Sequence, residues 1–161
     1  MKKLVFIIAV MLGVSIQAQE GEFNVGVNAG LPIGDTNNVY SFTLGAEANY
    51  LFNVADNFKA GPSVAFVNFF GKDINDNQGF GDIQFLPIAA AARYQASDKF
   101  TVGADIGYGV GINTGNDGGF YYRPLVSYEV ADNIAVQGSY NGISADGGSV
   151  NSIGLGILFK L

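Results

Sequence analysis

The sequence predicts an all-β fold, an eight-stranded antiparallel up-and-down transmembrane β-barrel over residues 19–161, preceded by a signal-peptide helix over residues 1–18. Three observations carry this. Bulky apolar residues alternate with small or polar ones through eight separate stretches, as they do in strands whose successive side chains point to opposite faces. A seven-residue turn pattern occurs three times. Only 14% of residues are charged while 23 are glycine, against the ~25% charged residues of ordinary soluble domains.

The chain opens Met1-Lys2-Lys3, runs apolar from Leu4 to Val14, and continues Ser15-Ile16-Gln17-Ala18-Gln19. A basic start, a short apolar run and a small residue ahead of a polar one predict a secretory signal cleaved after Ala18. The run is well short of the ~20 residues a membrane helix needs. There is no Cys, which excludes a lipidated N-terminus and any disulfide support for an exported chain. Eight basic residues, two of them in the signal, stand against 14 acidic ones. That balance argues against a nucleic-acid partner, which needs a basic footprint. The remaining length suits one domain.

In chain order, the first strand sets Phe23, Val25, Val27, Ala29 and Leu31 against Asn24, Gly26, Asn28 and Gly30. The second sets Phe42, Leu44, Ala46, Ala48, Tyr50 and Phe52 against Thr43, Gly45, Glu47 and Asn49. The third places Phe58, Ala60, Pro62, Val64 and Phe66 opposite Lys59, Gly61, Ser63 and Ala65. The fourth places Leu86, Ile88, Ala90, Ala92 and Tyr94 opposite Pro87, Ala89, Ala91 and Arg93, with its start near Ile83 and Phe85 breaking parity. The fifth has the cleanest alternation, Phe100 through Ile112 on even positions against Thr101, Gly103, Asp105, Gly107, Gly109 and Gly111. Phe120, Tyr122, Pro124, Val126, Tyr128 and Val130 mark the sixth, opposite Tyr121, Arg123, Leu125, Ser127 and Glu129. Ile134, Val136, Gly138 and Tyr140 mark the seventh, opposite Ala135, Gln137 and Ser139. The eighth, Ser152 to Leu161, alternates Ile153, Leu155, Ile157, Phe159 and Leu161 with smaller or polar residues. Paired with both the seventh and the first, it would leave no open edge.

Residues 52–58, 94–100 and 128–134 share an aromatic, a polar residue, two small or aliphatic residues, Asp, a polar residue and a bulky apolar one. Asp and Asn favour tight turns, so all three turns fall at one end. Longer loops are expected at the other, over Pro32–Tyr40, Gly71–Gly81, Asn113–Gly119 and Gly142–Val150. An even strand number with short turns at one mouth and longer loops at the other is the asymmetry of outer-membrane barrels.

Composition decides which face meets lipid. The bulky face carries no charge, and Arg or Lys at the lipid midplane of a barrel costs about 2–4 kcal/mol. The glycine-rich face would make a poor soluble surface, as in a lipocalin-like binding barrel, but it suits the packed interior of eight strands. Glu47, Lys59, Arg93, Asp105, Arg123, Glu129 and Lys160 all fall on that lining face and are expected to form an internal ion-pair network, because unpaired charges there are costly. Phe52, Phe58, Tyr94, Phe100, Tyr128 and Phe159 are expected to form an aromatic girdle at the short-turn mouth, with Tyr40, Phe42, Phe66, Tyr108, Tyr122 and Tyr140 towards the other. Pro62, Pro87 and Pro124 each remove a ladder hydrogen bond, and bulges are expected at all three.

With its signal, eight short strands, repeated tight turns and Phe159 near the end of the last strand, the chain resembles the small outer-membrane β-barrel proteins of the OmpX and OmpA-transmembrane type, porin-like barrel domains. The resemblance covers the whole mature chain. It implies Sec-dependent export to the outer membrane of a Gram-negative bacterium, contact with outer-membrane lipid, insertion by the barrel-assembly machinery and a monomeric state. Members usually end on an aromatic residue; this chain ends Phe159-Lys160-Leu161.

Little points to chemistry. There is no His, so His-dependent acyl transfer or proteolysis has no base, and a zinc site lacks its usual ligands. Glu47 with Asp105 is the one carboxylate pair worth weighing, and ion pairing explains both better. The glycines of residues 107–111 have period two and lack the strand–turn–helix setting of a phosphate loop. Residues 73–79 resemble the start of a calcium loop, but Gln84 stands where Glu is required. No catalytic, cofactor or metal site is therefore expected. The role expected is structural or narrowly porin-like, with surface interaction or adhesion through the loops as the alternative.

Overall fold

A computed structural model describes residues 21–75, 78–145 and 148–161; the expected signal over residues 1–18 lies outside them. Eight antiparallel strands close into a barrel. They are β1 (Gly21–Pro32), β2 (Tyr40–Ala55), β3 (Phe58–Gly71), β4 (Ile83–Gln95), β5 (Phe100–Gly111), β6 (Gly119–Ala131), β7 (Ile134–Ala145) and β8 (Gly148–Lys160). Each pairs with its chain neighbours, and β8 closes on β1 from Asn24↔Lys160 to Pro32↔Ser152.

The three repeated patterns form the tight turns between β2 and β3, β4 and β5, and β6 and β7. At the other end, residues 33–39 carry a one-turn helix, α1 (Thr36–Val39). The Thr36 hydroxyl donates to the Ser149 carbonyl and accepts from the Asn151 N–H, at 3.3 and 3.0 Å, which ties this loop to β8. A small hairpin, Asp73–Asn75 with Gln78–Gly79, lies between β3 and β4.

Most of the expected loop at Gly142–Val150 is strand, over Gly142–Ala145 and Gly148–Val150. The β7–β8 ladder continues through Asn151↔Gly142, Val150↔Ile143 and Ser149↔Ser144 to Gly148↔Ala145. Ile143 is fully buried in an apolar cluster and Val150 packs against it. That burial repays extension which small polar residues alone would not favour.

The faces divide as the alternation predicts. Leu155 is 69% exposed on the outer wall, with Val27, Ile106 and Ile157 likewise outward, whereas Glu47, Asp105 and Arg123 are buried inside. Tyr40 departs from its expected place in the outer aromatic belt. A register shift between Tyr40 and Phe42 inverts its parity, and its ring packs inward, edge-on to Phe69 at 5.8 Å.

The prolines sit without bulges. Around Pro62 the β3–β4 pairing is continuous, whereas the β2–β3 pairing skips from Asn49↔Ser63 to Phe52↔Ala60 in unchanged register. Pro87 is continuous with β5, and the β3–β4 ladder skips beside it from Val64↔Ile88 to Val67↔Phe85. Pro124 pairs with Ala104, while the β6–β7 ladder skips from Tyr122↔Gly142 to Leu125↔Ser139. A strand residue directs its backbone polar groups to one neighbour, so a missing N–H weakens one ladder locally and leaves the other whole. The register shifts in the barrel lie instead near strand ends, at Tyr40/Phe42, Asn53/Ala55 and Glu129/Ala131.

Candidate functional site

The salt bridges found among the described residues all lie in the barrel interior, which is built in three layers. At the short-turn mouth, Lys59 on β3 donates to Glu22 on β1 at 2.7 Å, and Lys160 on β8 pairs with Glu129 on β6. Both pairs reach across an intervening strand and are partly exposed. They rim a cavity of about 50 Å³ that Asn24, Thr101, Ser127 and Gln137 also line, room for a few waters. Asn24 is fully buried and donates to the Asn49 side-chain oxygen at 3.0 Å.

The middle layer holds four charges. Arg123 on β6 lies between Glu47 on β2 and Asp105 on β5, 2.8 Å from Asp105 Oδ2. Arg93 on β4 meets Asp105 Oδ1 at 2.7 Å and also donates to the Ala92 and Ala104 carbonyls. Gln137 on β7 donates to Glu47 Oε1 at 2.6 Å. Two guanidinium groups thus neutralise two carboxylates, as a narrow low-dielectric interior requires. Local register accounts for half of this, since Asp105 stands directly opposite Arg123. Arg93 stands opposite Gly103, where a Cβ would come within 2.5 Å of Arg93 Cδ; the glycine lets the guanidinium lie across to Asp105. Glu47 reaches the opposite wall of the barrel, four strands away from β6.

Towards the loop end the interior turns apolar. Phe69, Phe85, Ala89, Tyr121 and Ile143 form a buried cluster, with Tyr40, Val67, Ile83 and Val150 against it. Between cluster and charges is a cavity of about 10 Å³, at the lower bound for one water.

The structure therefore brings Glu47, Arg93, Asp105 and Arg123 into one network, and places Lys59 and Glu129 in separate pairs nearer the mouth. Glu22 was absent from the expected network, although it continues the alternation of Asn24 and Gly26 onto the lining face. The apolar layer had weaker signals: Tyr121 falls on the lining face by parity, but Phe85 stood at a parity break and Ile143 in an expected loop. Glu47 and Asp105 do come together, each held by an arginine and only 5% and 1% exposed, with no room for a substrate between them. Among the described residues no group of three potential metal ligands clusters; the calcium-like segment at residues 73–79 lies partly outside them. On the outer wall, Phe58 faces Tyr94 and Phe100 faces Tyr128, with Phe52 and Phe159 at the same end of the barrel.

A family model described as an outer membrane protein beta-barrel domain matches residues 6–160. Among solved structures, the chain is similar to the Yersinia pestis outer membrane protein Ail in a phospholipid nanodisc, with 15% identity and a TM-score of 0.65, over 88% of this chain and all of that one. It is similar to Neisserial surface protein A, with 15% identity and a TM-score of 0.53, over 89% of this chain and all of that one. The N-terminal barrel of Pseudomonas aeruginosa OprF matches with 14% identity and a TM-score of 0.52, over 88% of this chain and all of that one. No curated protein matches in sequence.

Proposed function

Because this chain belongs to the family of outer membrane protein β-barrel domains, we propose that it serves as a closed structural barrel of the bacterial outer membrane rather than as an open pore. One observation carries this reading: the neutral layer of Glu47, Arg93, Asp105 and Arg123 is stacked under the apolar cluster of Phe69, Phe85, Tyr121 and Ile143. Side chains fill an eight-stranded interior readily, and hydrated ions would have to break buried pairs and then cross an apolar layer. The tight turns face the periplasm and the longer loops face outward. Outer-membrane lipid is the medium of the apolar wall, and the barrel-assembly machinery would insert the chain as a monomer. The interior network has a stabilising role, without catalysis.

Purified protein in planar bilayers tests this. Bilayers at symmetric high salt should stay free of reproducible unit conductance steps, and steady steps that scale with salt would overturn the closed reading. The second reading, contact with a surface partner, is favoured by a specific feature at the loop end, a cleft between residues 113–119 and the β7–β8 hairpin. Ail is by its description the attachment invasion locus protein of Yersinia pestis, and a barrel of this kind would accommodate contact with a surface through its loops.

A further inference from the structure

We propose that the loop-end cleft is a binding site for small amphipathic cations, an aromatic or alkyl body carrying one ammonium group. This goes beyond the structural role and does not depend on the lumen being closed. The cleft lies where β5 runs past the start of β6. The β5–β6 ladder ends at Gly109↔Gly119, while β5 continues to Gly111, paired with Phe85 of β4. The notch this leaves in the wall has a volume of about 590 Å³, within the roughly 300–1,000 Å³ of small-molecule pockets.

Its floor is apolar. Ile83 and Val150, both half-buried, lie over the fully buried Phe85 and Ile143, so the floor is the upper surface of the interior cluster. Its rim is polar, with Asn116, Asp117, Ser144 and Ser149; the Asn116 amide is held by the Gln84 carbonyl and the Gly118 N–H, and the two serine hydroxyls meet each other at 3.3 Å. The Tyr108 hydroxyl donates to the Asp117 carbonyl at 2.8 Å, which fixes that residue at the rim. The Asp117 carboxylate itself meets no donor among the described residues.

The charge around the cleft selects the ligand's sign. At this end the described residues include Asp35, Asp73, Asp82 and Asp117 against the single cation Lys72. The Lys72 ammonium is held by the Asn37 carbonyl in α1, and Lys72 does not line the cleft, whereas Asp117 does. Such a field concentrates cations and disfavours phosphate or carboxylate head groups. An apolar floor with one unpaired carboxylate at its edge matches a hydrophobic body with a cationic end.

The test uses the full chain refolded in phosphatidylcholine nanodiscs, with 13C-methyl NMR on Ile83 and Val150. The probes are 4-phenylbutylammonium, 4-phenylbutanol and 4-phenylbutyrate, with empty nanodiscs reporting membrane partition. The ammonium should shift both methyls saturably and bind more tightly than the carboxylate. Asp117→Asn should weaken the ammonium about three- to fivefold, the size of one exposed ion pair, and leave the alcohol unchanged. Asp117→Lys, a change in an exposed loop that spares the barrel, should reverse the preference towards the carboxylate. Val150→Asn should weaken all three. Equal binding of ammonium and carboxylate, affinities indifferent to Asp117, or no saturable shift at either methyl would each overturn the proposal.

Discussion

Replacing Arg123 by Met probes the interior network at its centre, and the coordinates set how the loss should divide. Arg123 holds both Glu47 and Asp105. Without it, Asp105 keeps Arg93 at 2.7 Å, whereas Glu47 keeps only the neutral Gln137 amide. One buried carboxylate is left without a cation, a loss of about 3–5 kcal/mol. Arg93→Met also leaves the cluster one positive charge short, but both carboxylates then still touch Arg123, Asp105 at 2.8 Å, so the loss should be smaller, about 1.5–3 kcal/mol. Arg123→Met should therefore be the more damaging of two chemically identical truncations. The double variant Arg123→Met/Glu47→Met removes the orphan and should recover most of the loss, since replacing a buried pair by apolar side chains of similar volume is often neutral. Urea unfolding in lysophosphatidylcholine micelles measures all three, followed by far-UV circular dichroism because the chain has no Trp. Equal losses for the two arginines, or a double variant as unstable as Arg123→Met, would refute the reasoning.

Three further outcomes follow from the geometry. Glu129→Gln weakens the partly exposed pair with Lys160 and should lower stability in the same unfolding assay by less than about 1 kcal/mol; a loss as large as that of Arg123→Met would mean the mouth pairs are as desolvated as the centre. Leu155→Arg places a charge on the most exposed stretch of β8 and should cost about 2–4 kcal/mol in phospholipid vesicles, so a negligible effect there would put this position outside the hydrocarbon band. Gly107→Ala and Gly138→Ala should separate, because a Cβ at Gly107 would lie 2.1 Å from the Ile88 carbonyl oxygen while one at Gly138 would meet nothing closer than 3.7 Å. Thermal melts should show Gly107→Ala destabilised by about 1–3 kcal/mol and Gly138→Ala neutral or stabilised by up to about 1 kcal/mol; the reverse order would contradict the placement of the two faces.

Much of this fold is legible residue by residue. Period-two alternation from Phe100 to Ile112 requires a strand and assigns its faces, and the absence of charge on the bulky face says which side meets acyl chains. The three Asp-centred patterns place the tight turns within a residue or two of where they form. Local parity also puts Glu47, Arg93, Asp105 and Arg123 on one face. It fails where the backbone stops being regular, as at Tyr40, where a register shift turns the ring inward, and around the prolines, where ladders lapse without bulging.

What alternation leaves open is which lining residues meet. Glu47 and Arg123 are 76 positions apart, and only closure of the ring, β8 on β1, brings β2 and β6 face to face across the lumen. The same closure gathers Phe69, Phe85, Tyr121 and Ile143, drawn from four strands, into a cap over the charges. Side-chain direction is set by neighbouring backbone and can be read along the chain; partners across a closed interior depend on the barrel's circumference and stagger, which belong to the assembled sheet and to no single strand.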